Sequence, residues 1–342
     1  MDTSILDTLS QIAPDLMEQM EIRALVLERV GALGPIGRRA LAARLHLTER
    51  EVRAAADALR DAGCLTHSAA GMELTEHGQN LVEAGRAVSR GRRTLKNLEQ
   101  TLERKLGVRR VCVVRGDADL DEGVMREAAR EAAGQLRFLL GGAHVIAVTG
   151  GRTVAMTAQE VETAAPMEIT VVPAQGGLGG VVRTQANTVA ELLAERLGGA
   201  YRLLHVPDGL PLGAADELSR LPQVREVLEL LRHADVLLYG IARAEDLQRR
   251  RGMSRGECEA LLKAGAVAEA LGFYFDAQGR VVSGGQSLAL CPEELGVRSR
   301  AAAVAVGGRK AEAIVAVCAH HPHQLLVTDE GAASRIARLL RL

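Results

Sequence analysis

Four glycine-rich turns carry the residues best suited to binding chemistry. The first is Val148-Thr149-Gly150-Gly151-Arg152-Thr153-Val154. Glycines at such a place let the backbone approach a ligand, and the N–H groups opening a helix favour an anion. Arg152 adds a cation and Thr153 a hydroxyl, and both suit a phosphate. The second turn, from Pro173 to Gly180, carries Gln175 and leads to Gln185-Ala186-Asn187-Thr188. The third is Gly272-Phe273-Tyr274-Phe275-Asp276, preceded by Glu269. The fourth, Val306-Gly307-Gly308-Arg309-Lys310-Ala311, again feeds a helix and puts Lys310 in its first turn. A cation there opposes the helix dipole unless an anion lies nearby. Each turn alone is weak evidence, because parallel sheets use glycine simply to leave a strand. Together they describe a site for a phosphorylated ligand.

The surrounding pattern explains how such turns would be held. After Gly107 short apolar runs alternate with amphipathic segments. The candidate strands are 110–114, 145–149, 169–172, 202–206, 236–239, 303–306 and 325–328, with helices such as 119–139 and 184–197 between them. Near-continuous apolar strands alternating with helices predict an α/β domain, doubly wound and Rossmann-like, with a mostly parallel sheet.

The first third reads differently. Apolar residues at spacings of three and four run through 8–62, with Leu16, Met20, Leu25 and Val26 on one face. In Gly37 to Leu59, Leu41, Ala42 and Leu45 face inward on one helix and Leu47 closes a turn. Thr48 caps the next helix with Glu51 three residues on, a capping box. Val52, Ala55, Ala56 and Leu59 then pack inward. Arg50 and Arg53 face outward where a recognition helix meets base edges and phosphates, and with Arg38, Arg39 and Thr48 just before that helix they make the candidate DNA-contacting set. Between 38 and 60 six arginines oppose three acids, a local surplus that attracts phosphate. Residues 65–74 read as a β-hairpin, a wing able to add a groove or backbone contact. Next, 79–106 reads as a polar helix with Leu81, Val88, Leu95, Leu98, Leu102 and Leu106 at heptad-like spacing, a short coiled-coil seam for a second subunit.

Composition bounds the classes available. Hydrophobic residues are 47%, charged residues 25% and aromatics 2%, so aliphatic side chains must build the core. The net charge of −1 excludes a global basic field, and DNA attraction has to be local. Five scattered cysteines without a CxxC pair argue against zinc and disulfides and fit a reducing cytoplasm. His320, His321 and His323 straddle Pro322 without acidic or thiolate partners, and read as a polar loop rather than metal ligands. No signal peptide, membrane span or resident cofactor is expected.

Taken together, the helix-turn-helix, the long linker, the Gly150-Gly151-Arg152-Thr153 turn, the Gln-Ala-Asn start at 185–187, the Lys310 turn and the tail Leu326-Val327-Thr328-Asp329-Glu330-Gly331 resemble the SorC family of transcriptional regulators along essentially the whole chain. The resemblance implies three parts: a winged helix-turn-helix (1–78), a linker and dimerisation helix (79–106) and a sugar-phosphate-binding domain (107–342). It implies a repressor that binds operator DNA as a homodimer or homotetramer and responds to a glycolytic sugar phosphate, typically fructose-1,6-bisphosphate. Carried over by position, Gly150, Gly151, Arg152 and Thr153 cradle one phosphate and Gln185 lies beside the sugar. Arg250, within Gln248-Arg249-Arg250-Arg251, would clamp a second phosphate. Glu269 accepts from sugar hydroxyls and Lys310 meets phosphate as a point charge. Two positions depart from the family pattern: Arg152 stands where Ser or Thr is common, and Gln175 where Arg is common. The rival class is a sugar-phosphate isomerase or deaminase, whose acid–base pair would be sought at Asp329-Glu330 or at His205 with Asp208.

Overall fold

The computed structural model describes residues 12–45, 47–177, 181–208, 210, 212–246, 253–284, 300–321 and 323–341. The chain divides into two compact units, Met1–Leu95 and Lys96–Leu342.

In the first unit α1 (Pro14–Leu33), α2 (Arg38–Leu45) and α3 (Glu49–Asp61) precede a hairpin of β1 (Leu65–Ser68) and β2 (Gly71–Leu74). The α3 start forms as its sequence predicts: the Thr48 side chain accepts from the Glu51 N–H, and the Glu51 carboxylate accepts from the Thr48 N–H. Val26, Val30, Leu41, Val52, Ala56, Leu59, Leu65 and Met72 make the core. Of the expected face of α1, only Val26 is fully buried, whereas Leu16 is 59% exposed. The hairpin runs antiparallel with Leu65 opposite Leu74, and Met72 also bridges to Ile36. At Gly71, with φ +136°, a Cβ would lie 2.6 Å from the Ile36 backbone, so this close crossing requires glycine.

Helix α4 (Glu76–Leu106) runs 31 residues, about 46 Å at 1.5 Å per residue. Its leucine seam is not one continuous surface. Leu81 is 38% exposed, whereas Leu102 is fully buried and Leu106 nearly so. The C-terminal turns therefore pack on their own domain. They also close the sheet edge: the Glu103 and Glu99 carboxylates accept from the N–H groups of Val111 (3.0 Å) and Val113 (2.9 Å). These donors belong to edge strand β3 (Val111–Val114), and two glutamates one helical turn apart replace a neighbouring strand. Burial raises the Glu99 carboxyl above its usual range.

The second unit adds, in order, α5 (Glu122–Leu139), β4 (Val145–Val148), α6 (Arg152–Glu160), β5 (Thr170–Pro173), α7 (Ala186–Leu197), β6 (Ala200–Tyr201), α8 (Leu212–Ser219), α9 (Pro222–Arg232) and β7 (Val236–Gly240). There follow β8 (Ala242–Arg243), α10 (Arg255–Lys263), β9 (Ala268–Ala270), β10 (Phe273–Phe275), β11 (Val281–Ser283), β12 (Arg300–Val304), α11 (Ala311–His320), β13 (Leu325–Asp329) and α12 (Glu330–Leu339). The main sheet is wholly parallel in the order β3-β13-β12-β7-β4-β5-β6. Ile146, Val148, Val236, Leu238, Val304 and Val327 meet α5, α6 and α7 on one face. The alternating residues Ala147, Leu237, Tyr239, Ala303 and Leu326 are buried as well, with α9 and α12 on that side. Burial on both faces is why these strands read as unbroken apolar runs. A second, antiparallel sheet, β11-β10-β9-β8, is inserted after β7.

Two strands differ from the sequence reading. The expected strand 202–206 is absent; the ladder stops at Ala200–Tyr201. The Asn187 side chain takes both backbone groups of Leu204, donating to its carbonyl (3.0 Å) and accepting from its N–H (2.9 Å), so they are lost to the sheet. The strand placed at 303–306 runs instead over Arg300–Val304, and Ala305 contributes one last N–H bond to Val327.

The histidine segment also differs. His320 ends α11, and His321 and His323 are buried rather than forming a polar surface loop. Their proton positions follow from their partners. His323 Nδ1 faces the His321 carbonyl (2.9 Å), so it carries hydrogen and its Nε2 accepts from the Tyr239 hydroxyl. The Tyr239 proton being used, His321 Nε2 must donate to the Tyr239 oxygen (3.2 Å). Burial lowers the imidazole pKa to about 3 for His321 and about 4 for His323. Among the described residues no group of His, Cys, Asp or Glu is arranged to hold a metal ion.

Candidate functional site

The chain order of the sheet reverses between β4 and β7: the path from β4 runs to β5 and β6, and the path from β7 runs to β12 and β13. In doubly wound folds the crevice at such a reversal, beyond the carboxyl ends of the strands, is where ligands bind. Here that crevice is lined by Thr149-Gly150-Gly151 after β4 and by Gly240 at the end of β7, joined by a 3.4 Å bond from the Gly240 N–H to Thr149 Oγ1.

Helix α6 starts in this crevice. Its N-cap is Gly151 at φ +113°, with no side chain capping it. The Gly151 N–H donates to the Thr184 carbonyl (2.8 Å), which ties the turn to the start of α7. A Cβ on Gly150 would lie 2.5 Å from the Thr184 oxygen, 3.1 Å from the Ala186 nitrogen and 3.4 Å from Gln175 Nε2. The missing side chain therefore lets three segments converge: the α6 start, the Gln175 loop and the Gln185 N-cap of α7. Thr149, Thr153 and Gln175 are all buried here. Arg152 lies at the rim, 58% exposed, paired with Glu122 at 3.0 Å. An exposed pair of this kind is weakly held.

On the other side of Gly240, β8 and β9 pair with Ala242 opposite Glu269. Glu269 is buried and accepts from the Gly272 N–H at 3.0 Å. The turn Gly308–Lys310, whose last residue is the N-cap of α11, packs beside Ala242–Arg243, the strand that pairs with Glu269. Arg250 and the residues Leu178, Gly179 and Gly180 lie outside the described residues.

The α11 start is built like that of α6 but is filled. The Gly307 N–H donates to Asp329 (2.9 Å), the Gly308 N–H to Asp117 (3.1 Å) and the Arg309 N–H to Asp119 (2.8 Å). The Arg309 guanidinium also binds Asp119 at 3.1 Å. Asp329, fully buried, additionally accepts from Ala118 (2.6 Å) and Ala332 (3.0 Å). Burial raises its carboxyl above the usual range although these N–H groups oppose the shift. Glu330 accepts from the Gly116 N–H at 3.2 Å. The acid pair an enzyme would have used is thus committed to the backbone. Sequence reasoning missed these roles of Asp117 and Asp119. The run Gly116-Asp117-Ala118-Asp119-Leu120-Asp121 was visible, but its partners lie about 190 residues away in the chain. Asn187 was equally visible and its tie to Leu204 was not.

In the first unit the arginines separate into two groups. Arg38 approaches Asp57 (3.9 Å), Arg39 pairs with Glu49 (2.7 Å) and Arg60 pairs with Asp57 and Asp61. Among the described residues Arg44, Arg50 and Arg53 form no ion pair, and the last two lie exposed on the first turns of α3. Thr48 is spent on the cap. The wing carries neither Lys nor Arg.

Comparison with known proteins assigns both halves. Residues 19–89 match the model described as "CggR N-terminal DNA binding domain", and residues 93–338 the model described as "Putative sugar-binding domain". The chain is 35% identical over 329 residues to the central glycolytic genes regulator of Bacillus subtilis, covering 96% of this chain and 97% of that protein. The regulator of the same name from Priestia megaterium is 34% identical, with 98% of both chains covered. A SorC family transcriptional regulator from Enterococcus faecalis shares 36% identity and superposes with a TM-score of 0.65, over 70% of this chain and 99% of that one. The full-length sorbitol operon regulator SorC of Klebsiella pneumoniae, at 18% identity, shares the fold over 92% of this chain and 98% of its own, with a TM-score of 0.64. A DNA-binding unit carried on the same chain as a sugar-binding α/β unit, in relatives that match end to end, is a regulator and not an enzyme: the chain belongs to the SorC family of transcriptional regulators, alongside the central glycolytic genes regulators.

Proposed function

We propose that this regulator is a repressor of a glycolytic or sugar-metabolism operon, and that its effector is a glycolytic sugar phosphate, with fructose-1,6-bisphosphate the first candidate. The observation that carries this reading is the uncapped start of α6 at the sheet reversal, where buried Thr153 and Gln175 meet Gly150 and the Gln185 cap. One phosphate binds Gly150, Gly151, Arg152 and Thr153; Glu269 and Gln185 face the sugar; Lys310 and Arg250 serve a second phosphate.

The working form is a homodimer or homotetramer on a palindromic operator. The exposure of Leu81, at the N-terminal end of the α4 seam, supports this reading. Sugar phosphate alters subunit contacts, and with them the spacing of the two α3 helices, so that ligand and DNA affinity are reciprocally coupled.

A thermal-shift series with phosphorylated sugars and their unphosphorylated parents tests the effector assignment. Stabilisation by fructose-1,6-bisphosphate and not by fructose supports it. A response to a different phosphate keeps the site and replaces the effector. Silence toward every phosphate overturns the site.

A further inference from the structure

The ladder between β5 and β6 breaks off and then resumes. Thr170 stands opposite Ala200 and Val171 opposite Tyr201; further along, in the same parallel register, Gly177 stands opposite Pro207. The Arg202 N–H still reaches the Val171 carbonyl (3.0 Å). The chains rejoin where the Gly177 N–H donates to Val206 (2.9 Å) and the Asp208 N–H to Gly177 (2.9 Å). Between these points each chain bonds elsewhere. Ala174 gives its N–H to Val148 of β4 (2.7 Å), and Leu204 gives its N–H (2.9 Å) and carbonyl (3.0 Å) to the Asn187 side chain. Gln175 follows Ala174 directly and is buried.

Gln175 is thereby held from two sides. On one side is Gly150, whose missing Cβ would lie 3.4 Å from Gln175 Nε2. On the other, a Cβ on Gly176 would lie 2.7 Å from the Val206 oxygen, 2.8 Å from the Pro207 carbonyl carbon and 2.9 Å from the Asp208 nitrogen. Residues 206–208 therefore back the Gln175 loop, main chain against main chain. That backing is anchored by Asn187, in the first turn of α7 and two residues beyond its Gln185 N-cap. Leu204 is 1% exposed, so without the amide its N–H and carbonyl would be left unpaired away from water. The segment would have to move to satisfy them, and Gly176 would lose its support. A ligand-facing side chain keeps its place only as well as the packing behind it.

We propose that Asn187 is a positioning residue of the effector site: without touching the effector, it sets the place of Gln175 through Leu204 and residues 206–208. The inference rests on the sugar-phosphate reading of this crevice and on Gln175 facing the ligand. It also explains the residue type. Leu204 offers one donor and one acceptor, and an amide side chain answers both, whereas a carboxylate answers only the N–H.

The test is a double-mutant cycle on the full chain, read by calorimetric titration of fructose-1,6-bisphosphate into wild type, Gln175→Ala, Asn187→Ala and the double variant. Each single change should weaken binding about 10-fold, and the double variant should fall within about threefold of the weaker single, because Asn187 has nothing left to position once Gln175 is gone. Asn187→Asp keeps the acceptor and removes the donor. It should lose about threefold or more, vanish likewise in the Gln175→Ala background, and carry the test should Asn187→Ala fail to fold. Losses that multiply in the double variant mark a general loosening of the fold and overturn the proposal. So does wild-type affinity in the Asn187 variants or in Gln175→Ala, with the effector site itself left standing. Silence of wild type toward fructose-1,6-bisphosphate and every other sugar phosphate overturns the site, and this proposal with it.

Discussion

Helices α6 and α11 begin in the same way. Each follows a central strand through a glycine at positive φ, Gly151 at +113° and Gly307 at +103°. Each has a basic residue at the turn. Yet the α6 start carries no side-chain cap, whereas three aspartates occupy the N–H groups leading into α11. A helix start left open at the carboxyl edge of a sheet is a place for an external anion. One already holding the chain's own carboxylates is a structural joint. Lys310 can then act through its side chain, with the turn beneath it held rigid. The far end of α11 is fixed as well, by the closed chain of bonds from His321 to Tyr239 to His323.

The largest effect should come from opening that joint. Asp329→Ala strands the N–H groups of Ala118, Gly307 and Ala332, and a loss of about 3 kcal/mol or more in urea unfolding is expected. A loss under about 1 kcal/mol would erase the distinction between the two helix starts.

Acid should loosen the other end of α11. His321 and His323 titrate at about 3 and about 4 when folded, against 6.5 for a free imidazole. Below pH 6.5 the unfolded chain binds protons that the folded chain refuses. Stability is therefore complete above that pH and falls as pH drops, until the folded groups titrate. The expected slope is up to about 2.7 kcal/mol per unit for the pair, read from circular-dichroism unfolding between pH 7 and 5. A flat profile in a Tyr239→Phe control would be uninformative; a flat profile in the unaltered chain contradicts the buried neutral pair.

A smaller change sharpens the contrast. Asp119→Ala frees the Arg309 N–H and guanidinium at an exposed position and should cost about 1 kcal/mol while leaving sugar-phosphate affinity within about threefold. The smallest effect tests a helix start with its own cap: Thr48→Ala should cost about 1 kcal/mol or less in the first unit and lower DNA affinity only through that loss.

The contrast also marks what was legible in the sequence. Periodicity located most of the strands because burial on both faces writes itself as unbroken apolar runs, and the Thr48–Glu51 box was readable because capping is local. Side chains that reach across the fold were not. Asn187 ends β6 by capturing Leu204, Glu99 and Glu103 close the β3 edge, and Asp117 and Asp119 fill α11; none of these pairings has a spacing rule. The leucine heptads of α4 did not distinguish their partners, since a seam against one's own domain, as at Leu102 and Leu106, and a seam against a second subunit share one pattern.

The most direct measurement is calorimetric titration of fructose-1,6-bisphosphate into wild type, Thr153→Val and Asp119→Ala. Thr153→Val keeps the buried shape and removes only a hydroxyl at the open helix start. The account predicts at least about a 10-fold loss of affinity in Thr153→Val and near wild-type affinity in Asp119→Ala. Wild-type affinity in Thr153→Val together with a large change in Asp119→Ala would leave the α6 start without a phosphate and contradict it.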